Sequence, residues 1–154
     1  MDAAAITKYV ADTFDGVDVV VGSEAADSPE LAWGDTFFIY DPDGDLEPKQ
    51  QFPFATIVTK DYGEFDRASN LDRPGVFRLN VGISKQTFQS LFPAEDAGHD
   101  FTVLDRLMPH PVYGKMHWVC VLNPSETTFQ SAKALLAEAY GIAVGRLGKR
   151  RSER

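Results

Sequence analysis

Apolar residues recur along the chain in two rhythms, every three to four residues and every second residue, and their order predicts the elements. Ile6, Tyr9, Val10, Thr13 and Phe14 share one helical stripe, which Asp2 is placed to cap and Asp15-Gly16 to stop. Residues 17–21 are β-branched and read as a strand, and residues 23–30, small and acidic, as a loop. Residues 33–40 and 53–60 predict a second and third strand joined as a hairpin. At its tip Asp41-Pro42-Asp43-Gly44-Asp45 carries the Pro and Gly of a tight turn. A second punctuated connection, ending in Asn70-Leu71-Asp72-Arg73-Pro74-Gly75, leads to a fourth strand over residues 76–82. There Val76, Arg78 and Asn80 alternate with Phe77, Leu79 and Val81.

Ser84 caps a predicted short helix that turns Phe88, Leu91 and Phe92 inward and stops at Pro93. Residues 95–100 read as loop, residues 101–108 fit a helical turn or a strand, and Pro109-His110-Pro111 excludes regular helix. Residues 117–122 are apolar on both faces and predict a central strand. Asn123-Pro124-Ser125-Glu126 then carries the order of cap, first helical position and back-bonding acid. The long helix that follows puts Phe129, Ala132, Leu135, Leu136, Ala139, Tyr140, Ala143, Val144 and Leu147 on one stripe. Hairpin-joined strands with a helix at each end predict an α+β fold, an antiparallel sheet carrying its N- and C-terminal helices on one face. Residues 1–147 form one domain, followed by a basic tail over 148–154 that is expected to fray.

The chain has 154 residues, 44% hydrophobic and 25% charged, the mixture of a single soluble domain. One cysteine excludes a disulfide framework and a Cys-rich zinc site. With no basic, apolar leader and no membrane-length apolar run, the expected location is the cytoplasm. The net charge of −8 is unevenly spread. Eleven acids and no Lys or Arg lie between Asp12 and Glu47, whereas residues 146–154 carry +4. That balance counts against broad phosphate-backbone binding, which needs a basic face.

Two stretches then point to a family. Residues 110–122, His-Pro-Val-Tyr-Gly-Lys-Met-His-Trp-Val-Cys-Val-Leu, precede a helix with Leu135-Leu136-Ala137-Glu138-Ala139-Tyr140. The combination resembles the C-terminal pattern of the MmcQ/YjbR-like proteins, and residues 53–60 and 76–81 resemble their middle strands. Residues 72–80 and 118–124 are similar, more closely, to a bacterial family known only as a domain of unknown function. The resemblance implies a YjbR-like (CyaY-like, frataxin-like) fold. It also brings a nominal DNA-binding label, which rests on fold analogy, and no catalytic residues.

Common catalytic signatures are missing: no Gly-rich phosphate loop, no Gly-x-Ser-x-Gly, no His-Glu-x-x-His and no Cys-x-x-Cys. His117 and Cys120 suggest a base and nucleophile, but three residues apart on a strand they face opposite ways, and Cys120 between two valines reads as core. Asp41, Asp43 and Asp45 alternate like a calcium loop, yet the Gly and Glu such a loop needs are replaced by Leu46 and Phe52. His110 and His117 flank a bend but have no third metal ligand fixed by spacing. Asp12, Asp15 and Asp18 would occupy the acidic ridge of a frataxin-like fold, where weak divalent-cation binding is conceivable. Trp33, Tyr40, Tyr113, His117 and Trp118, with Lys60 and Arg78, lie on or beside strands where a cleft would form.

The reading is a non-catalytic binding or interaction domain for a protein or small-molecule partner, with no cofactor, metal or membrane implied. Its candidate ligand-binding residues are Arg78, His110, Tyr113 and His117, and no catalytic residue is assigned. The alternatives are nucleic-acid binding through the basic tail and strand loops, and a divalent-metal binder or an enzyme of unassigned type. A converging polar pocket around Arg78, His110 and His117 would favour chemistry, and an exposed apolar patch would favour a partner.

Overall fold

A computed structural model describes residues 1–93 and 98–152. Helix α1 (Ala3–Thr13) leads into strands β1 (Val17–Val21), β2 (Thr36–Tyr40), β3 (Ala55–Val58) and β4 (Arg78–Gly82). Helix α2 (Lys85–Leu91) follows, then the two-residue strand β5 (Met108–Pro109), β6 (Trp118–Leu122) and the long helix α3 (Glu126–Ser152). The six strands form one sheet of order β1-β2-β3-β4-β6-β5 in which every named pairing is antiparallel. The α+β architecture expected from the hairpin pattern is what the chain adopts. The sheet leaves chain order only at its last edge, where short β5 lies outside β6.

Because side chains alternate along a strand, each face has its own inventory. Phe38, Ala55, Ile57, Leu79, Val81, Val119 and Val121 point to one face. They meet Ile6 and Val10 of α1 and Phe129, Ala132, Leu135, Leu136 and Ala139 of α3 in one dry core. The helices also lock to each other: Tyr9 meets Phe129 edge-on at 5.3 Å, and the Tyr140 hydroxyl donates to the Asp15 carbonyl at 2.6 Å. The opposite face bears the cross-strand ladder Phe37–Thr56–Asn80–Cys120–Met108 and, one step along, Val58–Arg78–Leu122. Among the described residues no α-helix packs across that face. The connections 59–77 and 98–117 do, and there the second, smaller apolar cluster of Val58, Leu71, Met108, Cys120 and Leu122 forms.

Several local expectations need correction. The second strand starts at Thr36 rather than Trp33, because Gly34 takes φ +86° and Trp33 closes a turn on Glu30. Asn123 is not the cap of α3. Its backbone is left-handed at φ +42°, and its side-chain oxygen accepts from Phe77 N at 2.8 Å, pinning the sheet. Ser125 Oγ caps instead, accepting from Thr128 N at 3.2 Å. Leu91 is exposed, so α2 is held by Phe88 and Phe92 and by Glu138, which accepts from Ser84 N and Thr87 Oγ1. The basic tail does not fray at Gly148: α3 continues to Ser152, where Arg151 reaches Asp43 at 2.6 Å and Asp45 at 3.4 Å on the acidic hairpin tip. Glu153 and Arg154, and residues 95–97 of the loop expected over 95–100, lie outside the described residues. Among the described residues no helix is long and apolar enough to cross a membrane.

Leu136 is fully buried between α3 and the sheet. Leu136→Ala is expected to cost about 2–5 kcal/mol of stability, read from the midpoint of urea unfolding. A loss below about 1 kcal/mol would mean that α3 does not seal this face.

Candidate functional site

Strand pairing sets the floor of the site. Arg78 and Asn80 alternate with core residues Leu79 and Val81, so the sheet turns both polar side chains to the face without helices. Arg78 is only 1% exposed there. A guanidinium withdrawn from water needs partners for its donors, and the chain supplies them. Nε donates to Asn80 Oδ1 at 2.8 Å, and Nη1 donates to Asp66 Oδ1 at 3.1 Å and to Ser69 Oγ at 2.9 Å. Nη2 donates to Asp66 Oδ2, completing a forked pair. Asn80 in turn donates to Thr56 Oγ1 at 3.0 Å.

Asp66 and Ser69 come from the connection 59–77, so the arginine fastens that segment to the sheet. The segment is fixed at further points. Arg73 donates to the carbonyls of Ser69, Asn70 and Thr102, joining the two connections that cover this face. The buried carboxylate of Asp35 accepts from Thr59 N and Oγ1 and from the Tyr62 hydroxyl. Burial, and then the Asp35 hydrogen bond, push the Tyr62 phenol above its usual range, so it stays protonated.

His110 enters from the second connection. Its backbone N donates to Trp118 O at 2.9 Å, extending the β5–β6 pairing by one bond. Its Nδ1 accepts from Val112 N at 3.0 Å and Tyr113 N at 2.9 Å, which holds the ring in place. Nε2 lies 3.2 Å from Arg78 Nη2 and 3.9 Å from Asp66 Oδ2. Burial, reinforced by the Arg78 charge and opposed by Asp66, lowers the imidazole pKa from 6.5 to about 3. His110 is therefore neutral at physiological pH.

Above this floor lies a cavity of about 580 Å³, within the size range of small-molecule sites. Thr56, Asn80, Arg78, Asp66 and His110 form its polar base, and Phe37, Val58 and Trp118 its apolar walls. Trp118 lies against Gly82, where a Cβ would come within 2.9 Å of the indole. The rim is apolar and open to water: Phe52 is 67% exposed, Phe65 62%, Met116 60% and Tyr113 38%. Phe65 and Tyr113 meet edge-on at 6.0 Å, and Tyr113 also packs against the His110 ring at 5.0 Å. Arg146, from α3, lines the cavity as well.

A family model for a family of unknown function, DUF6194, matches residues 1–152. The chain belongs to DUF6194. The similarity to an uncharacterised family expected from residues 72–80 and 118–124 thus holds, whereas no link to the MmcQ/YjbR proteins is found. No curated protein matches the chain, and no solved structure does. For this member of DUF6194, function has to be read from the site.

Three of the four expected ligand residues, Arg78, His110 and Tyr113, meet at the cavity. His117 is not among its lining residues. It takes a left-handed backbone at φ +68° just before β6, and its ring lies against Phe88 at 5.6 Å. Cys120 is buried as expected, and desolvation pushes its thiol up to about 12. Tyr40, Trp33 and Lys60 lie away from this cavity. Asp43 and Asp45 engage Arg151, Asp12 engages Lys8, and no cluster able to hold a metal ion occurs among the described residues. Asp66, Ser69, Tyr62, Phe65, Phe52 and Met116 were missed. The one cue was indirect: Arg78 and Asn80 on the same face of an interior strand require partners from elsewhere.

The depressed His110 pKa has a measurable consequence. Between pH 6.5 and about 3 the unfolded chain binds a proton that the folded His110 does not, so stability is full above that window and falls as pH drops through it. His110→Gln is expected to flatten the stability–pH profile there by up to about 1.4 kcal/mol per pH unit, measured by urea unfolding at stepped pH. Parallel profiles for the two proteins would contradict this assignment.

Proposed function

We propose that this chain is a non-catalytic binding domain that holds a small organic molecule with an apolar body in the cavity over Arg78. One observation carries the reading. The three large apolar side chains most exposed to water, Phe52, Phe65 and Met116, converge with Tyr113 on the rim of one cavity with a polar base. Scattered exposed apolar residues need no explanation, but a ring of them around a concave site is the usual anatomy of ligand binding.

Binding is favoured over turnover by the state of the groups at hand. The His110 lone pair on Nδ1 is occupied by two backbone N–H groups, which removes the ring as a proton acceptor. The Cys120 thiol, buried and raised to about 12, is a poor nucleophile. Nucleic-acid binding is a weaker reading, since Arg151 of the basic tail is engaged by Asp43 and Asp45 and the chain carries −8 overall. The YjbR-like resemblance remains a proposal about fold, supported by helices from both chain ends on one face of an antiparallel sheet.

Biphenyl-4-methanol, a neutral probe with an apolar body, is expected to bind the protein in titration calorimetry. The double variant Phe65→Ala/Met116→Ala removes two rim side chains that face water. It is expected to weaken binding about tenfold, or about 1.4 kcal/mol, while changing stability by less than about 0.5 kcal/mol. Unchanged affinity in that variant would place the probe elsewhere, and no binding to the wild type would refute the cavity reading.

A further inference from the structure

A neutral imidazole has a single in-plane lone pair, on whichever nitrogen lacks hydrogen. In His110 that lone pair is at Nδ1, because two backbone N–H groups, from Val112 and Tyr113, donate to it. The ring hydrogen is therefore on Nε2. Yet Nε2 faces Arg78 Nη2 at 3.2 Å, and Nη2 is itself only a donor. Of the five N–H groups of Arg78, four are taken up by Asn80, Ser69 and the two oxygens of Asp66. The fifth, on Nη2, meets the His110 N–H donor to donor. Both side chains are more than nine-tenths buried, with Arg78 1% and His110 4% exposed, and both line the cavity. The acceptor next to them, Asp66 Oδ2, already takes the other Nη2 hydrogen and lies 3.9 Å from Nε2, beyond hydrogen-bond reach, so these two buried donors are what an incoming oxygen would satisfy.

We infer that the molecule bound in this cavity carries a carboxylate, one oxygen of which accepts from both Arg78 Nη2 and His110 Nε2. The inference rests on the cavity reading above and specifies its ligand. Charge points to a carboxylate over a neutral hydroxyl. The titratable groups lining the cavity are Asp66, Arg78, Arg146, His110 and two tyrosines. With His110 neutral, the formal charges of Asp66, Arg78 and Arg146 sum to +1 in a chain whose total is −8. Asp66 is already committed through both oxygens to Arg78, and Arg146 is a second cation in the cavity lining. The apolar rim then holds the rest of the molecule.

The test compares biphenyl-4-carboxylate with biphenyl-4-methanol on the wild-type protein at pH 7 by calorimetry. The carboxylate is expected to bind at least about tenfold more tightly, the difference that one charge-assisted hydrogen bond supplies. Binding of the alcohol with no advantage for the carboxylate would overturn the inference and leave the cavity reading in place. Binding of neither probe would overturn both. Nitrogen-15 NMR of labelled histidine gives an independent check that needs no variant. It is expected to show His110 protonated at Nε2 and bare at Nδ1, with the Nε2 hydrogen shifting when the carboxylate is added. A hydrogen on Nδ1, or no shift when the carboxylate binds, would overturn the inference.

Discussion

The guanidinium of Arg78 is the constraint around which the uncovered face of the sheet is arranged. Withdrawing such a charge from water costs several kcal/mol unless its partners are well placed. The partners cannot all come from the sheet, because the neighbouring side chains on that face, Val58 and Leu122, are apolar. Asp66 and Ser69 must be brought in by the connection 59–77, while the segment between β5 and β6 sets His110 beside the guanidinium. Arg73 then ties the first of these segments to the second through the Thr102 carbonyl. Irregular chain is held over the sheet by hydrogen bonds to one buried side chain, where a helix would have used apolar packing.

That difference separates the two faces in function as well as in structure. The face under α1 and α3 is closed mainly by apolar contact. The other face is roofed by loops, and loops pinned at a few points leave space between them. The cavity lies where the roof is incomplete, with donors at its base and aromatic and Met side chains at its opening. His110 shows how the base is tuned. Its burial and the Arg78 charge keep the ring neutral, and the backbone amides decide which nitrogen keeps the hydrogen.

Much of the scaffold could be read directly from residue pattern. The alternation Phe77-Arg78-Leu79-Asn80-Val81 predicts both the strand and the side to which the arginine turns, and the stripe from Phe129 to Leu147 predicts the long helix and its buried face. Arg78, His110 and Tyr113 could be named in advance because each is a polar-tipped residue on or next to a strand. The residues that complete the site lie in connections without periodicity, where position depends on tertiary partners: nothing local marks Asp66 as the mate of Arg78, twelve positions away. His117 was misplaced for a related reason, since a left-handed backbone just before a strand redirects a side chain that simple alternation would assign. The true cap of α3 was hidden because Asn123, the better cap by type, is drawn into a sheet contact with Phe77. Arg151 extends the helix by pairing with an acidic turn more than a hundred residues earlier, a contact invisible to local reading.

The claim that one arginine holds the roof over the sheet is tested most directly by hydrogen exchange, followed by mass spectrometry, on Asp66→Asn. This substitution keeps the shape of the side chain and removes the charge that fixes the first connection. Faster exchange confined to residues 61–76 and 110–116, with α1, α3 and the inner strands as protected as in the wild type, is the predicted result. Unchanged protection across both connections would show that the roof stands without the ion pair, and would contradict the account.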